Sequence, residues 1–191
     1  FYWINSDDII LPSSVRIVVE YFKRNASIGM YYGDRIVIDS KSNIIETNKF
    51  TSYNRLLFRF DQKLPQETAF FRRELWEKVN GLDLSLNYCM DTDLWMKMHR
   101  YSKFYHIPFY LGCFREHELA KSSNAKYQGR DLGDREVRLS QKSHLPRSYY
   151  IFFPMLNSVV RFIKKFVTIV QYKFLKGNKR EKRVILEILN R

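Results

Sequence analysis

The alternation of apolar runs with polar breaks reads as short strands interleaved with helices. Phe1-Tyr2-Trp3-Ile4 is an apolar run closing in the cluster Asn5-Ser6-Asp7-Asp8, the profile of a strand that ends in a loop. Pro12 suits a helix start, and Val15, Val18, Val19 and Phe22 recur at helical spacing behind it. Residues 29–47 predict a hairpin, with Asp39-Ser40-Lys41-Ser42-Asn43 as its turn. Residues 48–64 are polar and aromatic without a period. Thr68–Phe71 is a short apolar run leading into a helix over Glu74–Val79, and Gly81 stands where a helix C-cap is expected. A second helix is predicted from Asp91 through Met98, one or two strands over Phe104–Phe114, and a short helix near 131–141 within a polar stretch. Strands alternating with helices predict an α/β fold.

From about Tyr149 the pattern changes. Tyr149-Tyr150-Ile151-Phe152-Phe153-Pro154 precedes an apolar series from Val159 to Val170, interrupted by Arg161, Lys164 and Lys165, with Lys173 beyond it. The predicted division is a domain over 1–145 and a basic amphipathic helical tail over 146–191. Four cations within 161–173 argue against a membrane span and favour a helix lying in the interface, where Lys and Arg meet anionic headgroups. The plainer alternative is a helix packed on the domain's own core with its Lys face in water.

Charge sharpens that division. The formal net charge of the 191 residues is +13. Residues 141–191 carry 12 Lys and Arg against 2 Asp and Glu, a net of +10; residues 1–140 carry 21 against 18, a net of +3. A nucleic-acid-binding domain more typically spreads its basic stripe over a folded face. With 45% hydrophobic and 28% charged residues, global disorder is excluded. Cys89 and Cys113 are too few for a disulfide scaffold or a Cys-based zinc site, and they fit a reducing compartment. Phe1–Ile4 reads as the interior of a buried strand, so the chain is expected to be a segment of a longer protein.

Three places carry residues suited to chemistry. Asn5-Ser6-Asp7-Asp8 follows an apolar strand, and ligands in open α/β sheets gather at such strand ends. Clustered hard oxygen ligands suit Mg²⁺ or Mn²⁺, which also bridge phosphate oxygens. The plainer reading is a solvated turn whose carboxylates bond backbone N–H groups. Asp91, at a helix start, has the placement of a general base held ionised by the positive end of the helix, or simply of an N-cap. His117, after Phe114-Arg115-Glu116, is a possible metal ligand through neutral imidazole, or an ordinary surface histidine.

Taken in order, these segments resemble the family 2 glycosyltransferases of GT-A fold. Trp3-Ile4-Asn5-Ser6-Asp7-Asp8 resembles their metal-binding DxD segment. Gln66-Glu67-Thr68-Ala69-Phe70-Phe71-Arg72-Arg73, followed by Leu75, Val79, Gly81 and Asp83, resembles their acceptor-side segment. Met90-Asp91-Thr92-Asp93-Leu94-Trp95 resembles the segment of the catalytic base, and Phe114-Arg115-x-His117 with Lys121-Ser122-Ser123 resembles the strand and loop that close the site. The resemblance covers residues 1 to about 125.

It implies a mixed sheet flanked by helices, incomplete because the family's nucleotide-binding start lies about a hundred residues earlier. It implies Asp7 or Asp8 as the ligand of Mn²⁺ or Mg²⁺, with His117 completing the site. Asn5 replaces the first Asp of the pattern and is left to a ribose or water-mediated contact. Gln66, Arg72, Arg73 and Asp93 fall on substrate-binding segments, and Asp91 falls on the base, with Met90 where relatives often carry Glu. The implied reaction moves a sugar from a nucleoside-diphosphate donor to a glycan or lipid-linked hydroxyl, with inversion, in glycan or surface-polysaccharide synthesis. The protein is then expected in the cytoplasm, peripheral on the inner face of the cell membrane. Competing readings are a non-catalytic membrane- or nucleic-acid-binding protein, whose tail is its function, and a metal-dependent hydrolase of sugar nucleotides.

Overall fold

The structure is a computed structural model that describes residues 1–59, 64–117 and 130–145, together with Met155, Ser158, Val159 and Phe162. The Lys121-Ser122-Ser123 segment lies outside the described residues, as does the 146–191 tail apart from those four positions. Among the described residues the elements follow one another as β1 (Ile9–Ile10), α1 (Ser14–Arg24), β2 (Ile28–Ile38), β3 (Ile44–Asn48), α2 (Arg55–Phe58), β4 (Phe70–Phe71), α3 (Arg73–Lys78), α4 (Met90–Met98), β5 (Lys103–Arg115) and α5 (Arg130–Ser143). A 3-10 turn, Gln66–Thr68, precedes β4. The fold is mixed α/β.

The sheet order is β1-β5-β2-β3, with β4 also on β2. β5 runs parallel to β2, while β1, β3 and β4 pair antiparallel. β2 is apolar almost throughout because both of its faces are covered, the usual state of a strand in a sheet with helices on either side. Its side chains alternate between two cores. Met30 and Tyr32 join Phe71, Leu94, Trp95, Met96, Met98 and Phe104, and Tyr31 joins Val18, Phe70, Ile107 and Leu111 under α1. Burying a side chain as large as Trp95 makes its truncation to Ala cost about 3–5 kcal/mol.

Several expectations are adjusted. The hairpin forms as β2 and β3. Residues 1–5 do not form a strand: Tyr2 makes an isolated bridge to Phe70 and stacks on its ring. The strand before the first helix is instead Ile9–Ile10, paired with Gly112 and Cys113. The inward stripe of α1 is Ile17, Val18, Tyr21 and Phe22, whereas Val15 and Val19 are exposed, so the helix is rotated by a residue or so from the valine spacing. Phe104–Phe114 is one strand, and Pro108 is accommodated because the register skips from Gly33–Ile107 to Asp34–Tyr110, a bulge that needs no N–H from proline. Gly81 has φ +63° and follows α3 as expected; a Cβ there would stand 2.8 Å from Trp76. Among the described residues, no helix is long and apolar enough to cross a membrane.

Candidate functional site

Asn5–Asp8 is a turn beside the end of β5, and most of its polar groups hold the turn itself. Asp8 accepts the backbone N–H of Arg115 on Oδ1 (3.0 Å) and the Asn5 amide on Oδ2 (3.2 Å). Asn5 also donates to Gln66 Oε1 (3.0 Å), and Gln66 Nε2 donates to the carbonyl of Trp3. Burial pushes the Asp8 carboxyl up, as does the charge of Asp7, while the Arg115 amide and Asn5 pull it back. Asp8, Asn5 and Gln66 thus form one network that sets the shape of the turn.

Arg115 is the staple of this region. Its Nε donates to the Asp7 carbonyl (2.9 Å), and Nη1 donates to the Asp39 carbonyl (2.8 Å) and to Ser42 Oγ (3.0 Å). One guanidinium therefore joins the Asp7 backbone to the hairpin turn, a use of its forked donors that lysine could not copy. Two residues on, His117 Nε2 lies 3.0 Å from Asp7 Oδ2. Both side chains are partly open to solvent. Behind them Glu67 is buried, which pushes its carboxyl up against the opposing pull of Arg35. Arg35 Nη1 reaches Glu67 Oε1 at 3.3 Å, and its guanidinium lies against the rings of Phe50 and Phe114. Gly112 lets the 3-10 turn sit on β5, since a Cβ there would be 2.5 Å from the Glu67 carbonyl.

The donor set at Asp7 and His117 is one carboxylate oxygen and one imidazole nitrogen. Among the described residues, no group of three or more His, Cys, Asp or Glu could hold a metal ion. Two protein ligands fit an ion that keeps several waters and binds substrate phosphates, as Mg²⁺ and Mn²⁺ do.

Asp91 stands in the first turn of α4, and its Oδ1 accepts the N–H of Thr92 (2.7 Å). It is not the N-cap; Cys89 holds that position and supplies no side-chain bond. The amides of Asn87, Tyr88 and Cys89 instead donate to the carboxylate of Glu136, from α5, at 3.0, 2.6 and 3.0 Å. Asp93 is buried and faces α5 as well. It accepts from Ser140 (3.0 Å), pairs with His144 (2.9 Å) and forms an ion pair with Lys97 (3.1 Å). Burial alone would raise its pKa, but His144, Lys97 and Ser140 outweigh it and hold the group at about 2.

The structure therefore brings Asn5, Asp7, Asp8, Gln66 and His117 together and places Asp91 on a separate helix. Arg72 and Arg73 are engaged elsewhere. Arg72 donates to the carbonyls of Phe22, Asn25 and Ile28 and lies over the Phe22 ring, clamping the end of α1. Arg73 pairs with Glu77 one helical turn on and lies over Phe1. Asp93 spends its carboxylate on α4 and α5. Reading the sequence missed the roles of Arg115, Glu136, Ser140 and His144. The four-residue spacing of Glu136, Ser140 and His144 was an available signal for a polar stripe on one helix face.

No family model matches the chain. Among curated proteins it is similar to the chondroitin synthase of Escherichia coli, at 22% identity over 108 residues, a stretch that covers 54% of this chain and 15% of that protein. The likeness thus spans a small part of a much longer relative.

Proposed function

We propose that the protein is part of an inverting glycosyltransferase of GT-A type, which moves a sugar from a nucleoside-diphosphate donor to a hydroxyl of a growing glycan. The observation that carries this reading is the pairing of Asp7 with His117, residues 110 positions apart, on a turn held in shape by Asn5, Asp8, Gln66 and Arg115. The likeness to a chondroitin synthase supports glycosyl transfer in polysaccharide synthesis as the class of reaction.

In this reading Asp7 Oδ2 and His117 Nε2 would hold Mn²⁺ or Mg²⁺. Such an ion supplies Lewis acidity to a diphosphate leaving group. Arg115 keeps the Asp7 backbone in place, and Asp8 keeps the turn closed beneath it. Asp91 accepts the proton of the acceptor hydroxyl as that oxygen attacks the anomeric carbon from the face opposite the leaving group. A single displacement inverts the anomeric configuration. The basic tail, with its net +10 over 141–191, is assigned to anionic lipid at a membrane surface, on the cytoplasmic side where the donor is available.

Calorimetric titration of UDP into the full-length protein tests the donor half of this proposal, first with Mn²⁺ and then with EDTA. Binding that needs the metal and disappears on Asp7→Asn supports it. Failure of UDP, GDP, CDP and dTDP alike to bind would remove the nucleotide-sugar donor and leave the tail as the functional element. Release of free sugar with no acceptor consumed would favour the hydrolase instead.

A further inference from the structure

The geometry points to Glu136 as the residue that positions the base Asp91, an inference that rests on the glycosyl-transfer reading above. α4 begins without a cap of its own, because Cys89 supplies no side-chain bond and Asp91 bonds the N–H of the residue after it. The open amides ahead of the helix are taken by Glu136, whose carboxylate accepts from Asn87, Tyr88 and Cys89. Of these amides only that of Cys89, at the N-cap, belongs to the helix start; those of Asn87 and Tyr88 lie in the turn ahead of it, and one carboxylate gathers all three beside the positive end of α4. Here the carboxylate arrives from another helix, 45 positions beyond Asp91.

Glu136, Ser140 and His144 are spaced by four and so lie along one face of α5 or its final turn. Ser140 and His144 bond Asp93, two residues after Asp91. The backbone on one side of Asp91 is therefore tied to α5 at residues 87–89, and the other side is tied at residue 93. Fixed on both flanks, the first turn of α4 has little freedom to tilt. Misplacing a reacting group by about 1 Å can cost on the order of 100-fold in rate. Glu136 does not need to touch substrate to matter; it acts through Asp91.

The test uses the full-length protein and Glu136→Gln, which keeps the size of the side chain but leaves it one accepting oxygen in place of two. Three readouts are taken: hydrogen exchange over residues 86–92, acceptor-dependent nucleoside-diphosphate release from a panel of UDP-, GDP- and dTDP-sugars with glycan acceptors present, and Mn²⁺-dependent UDP binding. The expected result is exchange about tenfold faster at residues 87–89. With it, kcat falls by about ten- to a hundredfold, while donor KM and UDP affinity stay within about twofold. In an Asp91→Asn background, the same substitution should change the residual rate by less than about twofold, because the group it positions is already gone. Ser140→Ala, which removes one bond to Asp93, should give a smaller loss with the same dependence on Asp91.

An unchanged kcat overturns the proposal. So does an equal fold-loss in the Asp91→Asn background, which would mark Glu136 as general scaffolding. If Asp91→Asn itself transfers sugar at the parental rate, the assignment of Asp91 falls and this proposal falls with it. That outcome is distinguishable, because the exchange measurement still reports whether the clamp exists.

Discussion

Asp7 and Asp8 are neighbours of one chemical type, yet their surroundings separate their roles. Asp8 has both oxygens occupied by Arg115 and Asn5, whereas the Asp7 carboxylate meets His117 at the surface. Asp7→Asn should therefore weaken Mn²⁺-dependent UDP binding by about a hundredfold and leave the thermal midpoint nearly unmoved. Asp8→Asn should cost about 1–2 kcal/mol of stability, since its new amide would face the amide of Asn5 donor to donor. Calorimetry and denaturant unfolding of both variants check the pair; equal effects would sink the distinction. His99 offers a pH test. Arg59 can only donate, so Nε2 of His99 must accept from it (3.2 Å), leaving Nδ1–H to the Tyr53 hydroxyl oxygen (2.5 Å). Burial, and then the charges of Arg59, Arg55 and Arg100, lower its pKa to about 4. The folded state thus binds its proton less readily than the unfolded chain, whose histidine titrates near 6.5. The contribution is fully present above pH ~6.5 and is lost as pH falls toward about 4. Thermal midpoints followed from pH 7 to pH 4 should fall, and His99→Gln should flatten that limb.

The elements were largely legible from the chain, with corrections that share one cause. The helices around 14–24, 73–78 and 90–98 and the β2–β3 hairpin follow from spacing, turn residues and Gly81, all of which act within a few positions. The strand at Ile9–Ile10 and the rotation of α1 were not legible, because each depends on what β5 and the Tyr31 core present from a distance. Gly81 allows a local test of α3. Its positive φ costs an L-residue about 1–2 kcal/mol, and a methyl there also crowds Trp76, which stacks on Phe71. Gly81→Ala should lower unfolding free energy by at least that amount in urea; a neutral result would mean that the turn relaxes.

On the reading proposed above, the nearly balanced body engages substrate and the strongly basic C-terminal region engages an anionic surface. The full chain should sediment with vesicles containing phosphatidylserine and not with neutral phosphatidylcholine vesicles. Binding should fall steeply between low salt and about 0.5 M, as the Debye length shrinks to a few ångströms. A chain ending near residue 145 should lose sedimentation. If it sediments as before, the surface contact belongs to the body instead.

Local pattern was enough for the α/β class, the main helices and the uneven charge. Those features depend on residues close in sequence, where spacing and side-chain type carry the information. How the side chains are used depends on contacts across 40 to 110 positions. Arg72 clamps α1 and Asp93 ties α4 to α5, while Arg115 staples the Asp7 turn and Glu136 caps a helix it does not belong to. A carboxylate or guanidinium looks the same in the chain whether it awaits a ligand or is already satisfied. Folding distinguishes the two, because a polar group taken from water must find its partners within the protein.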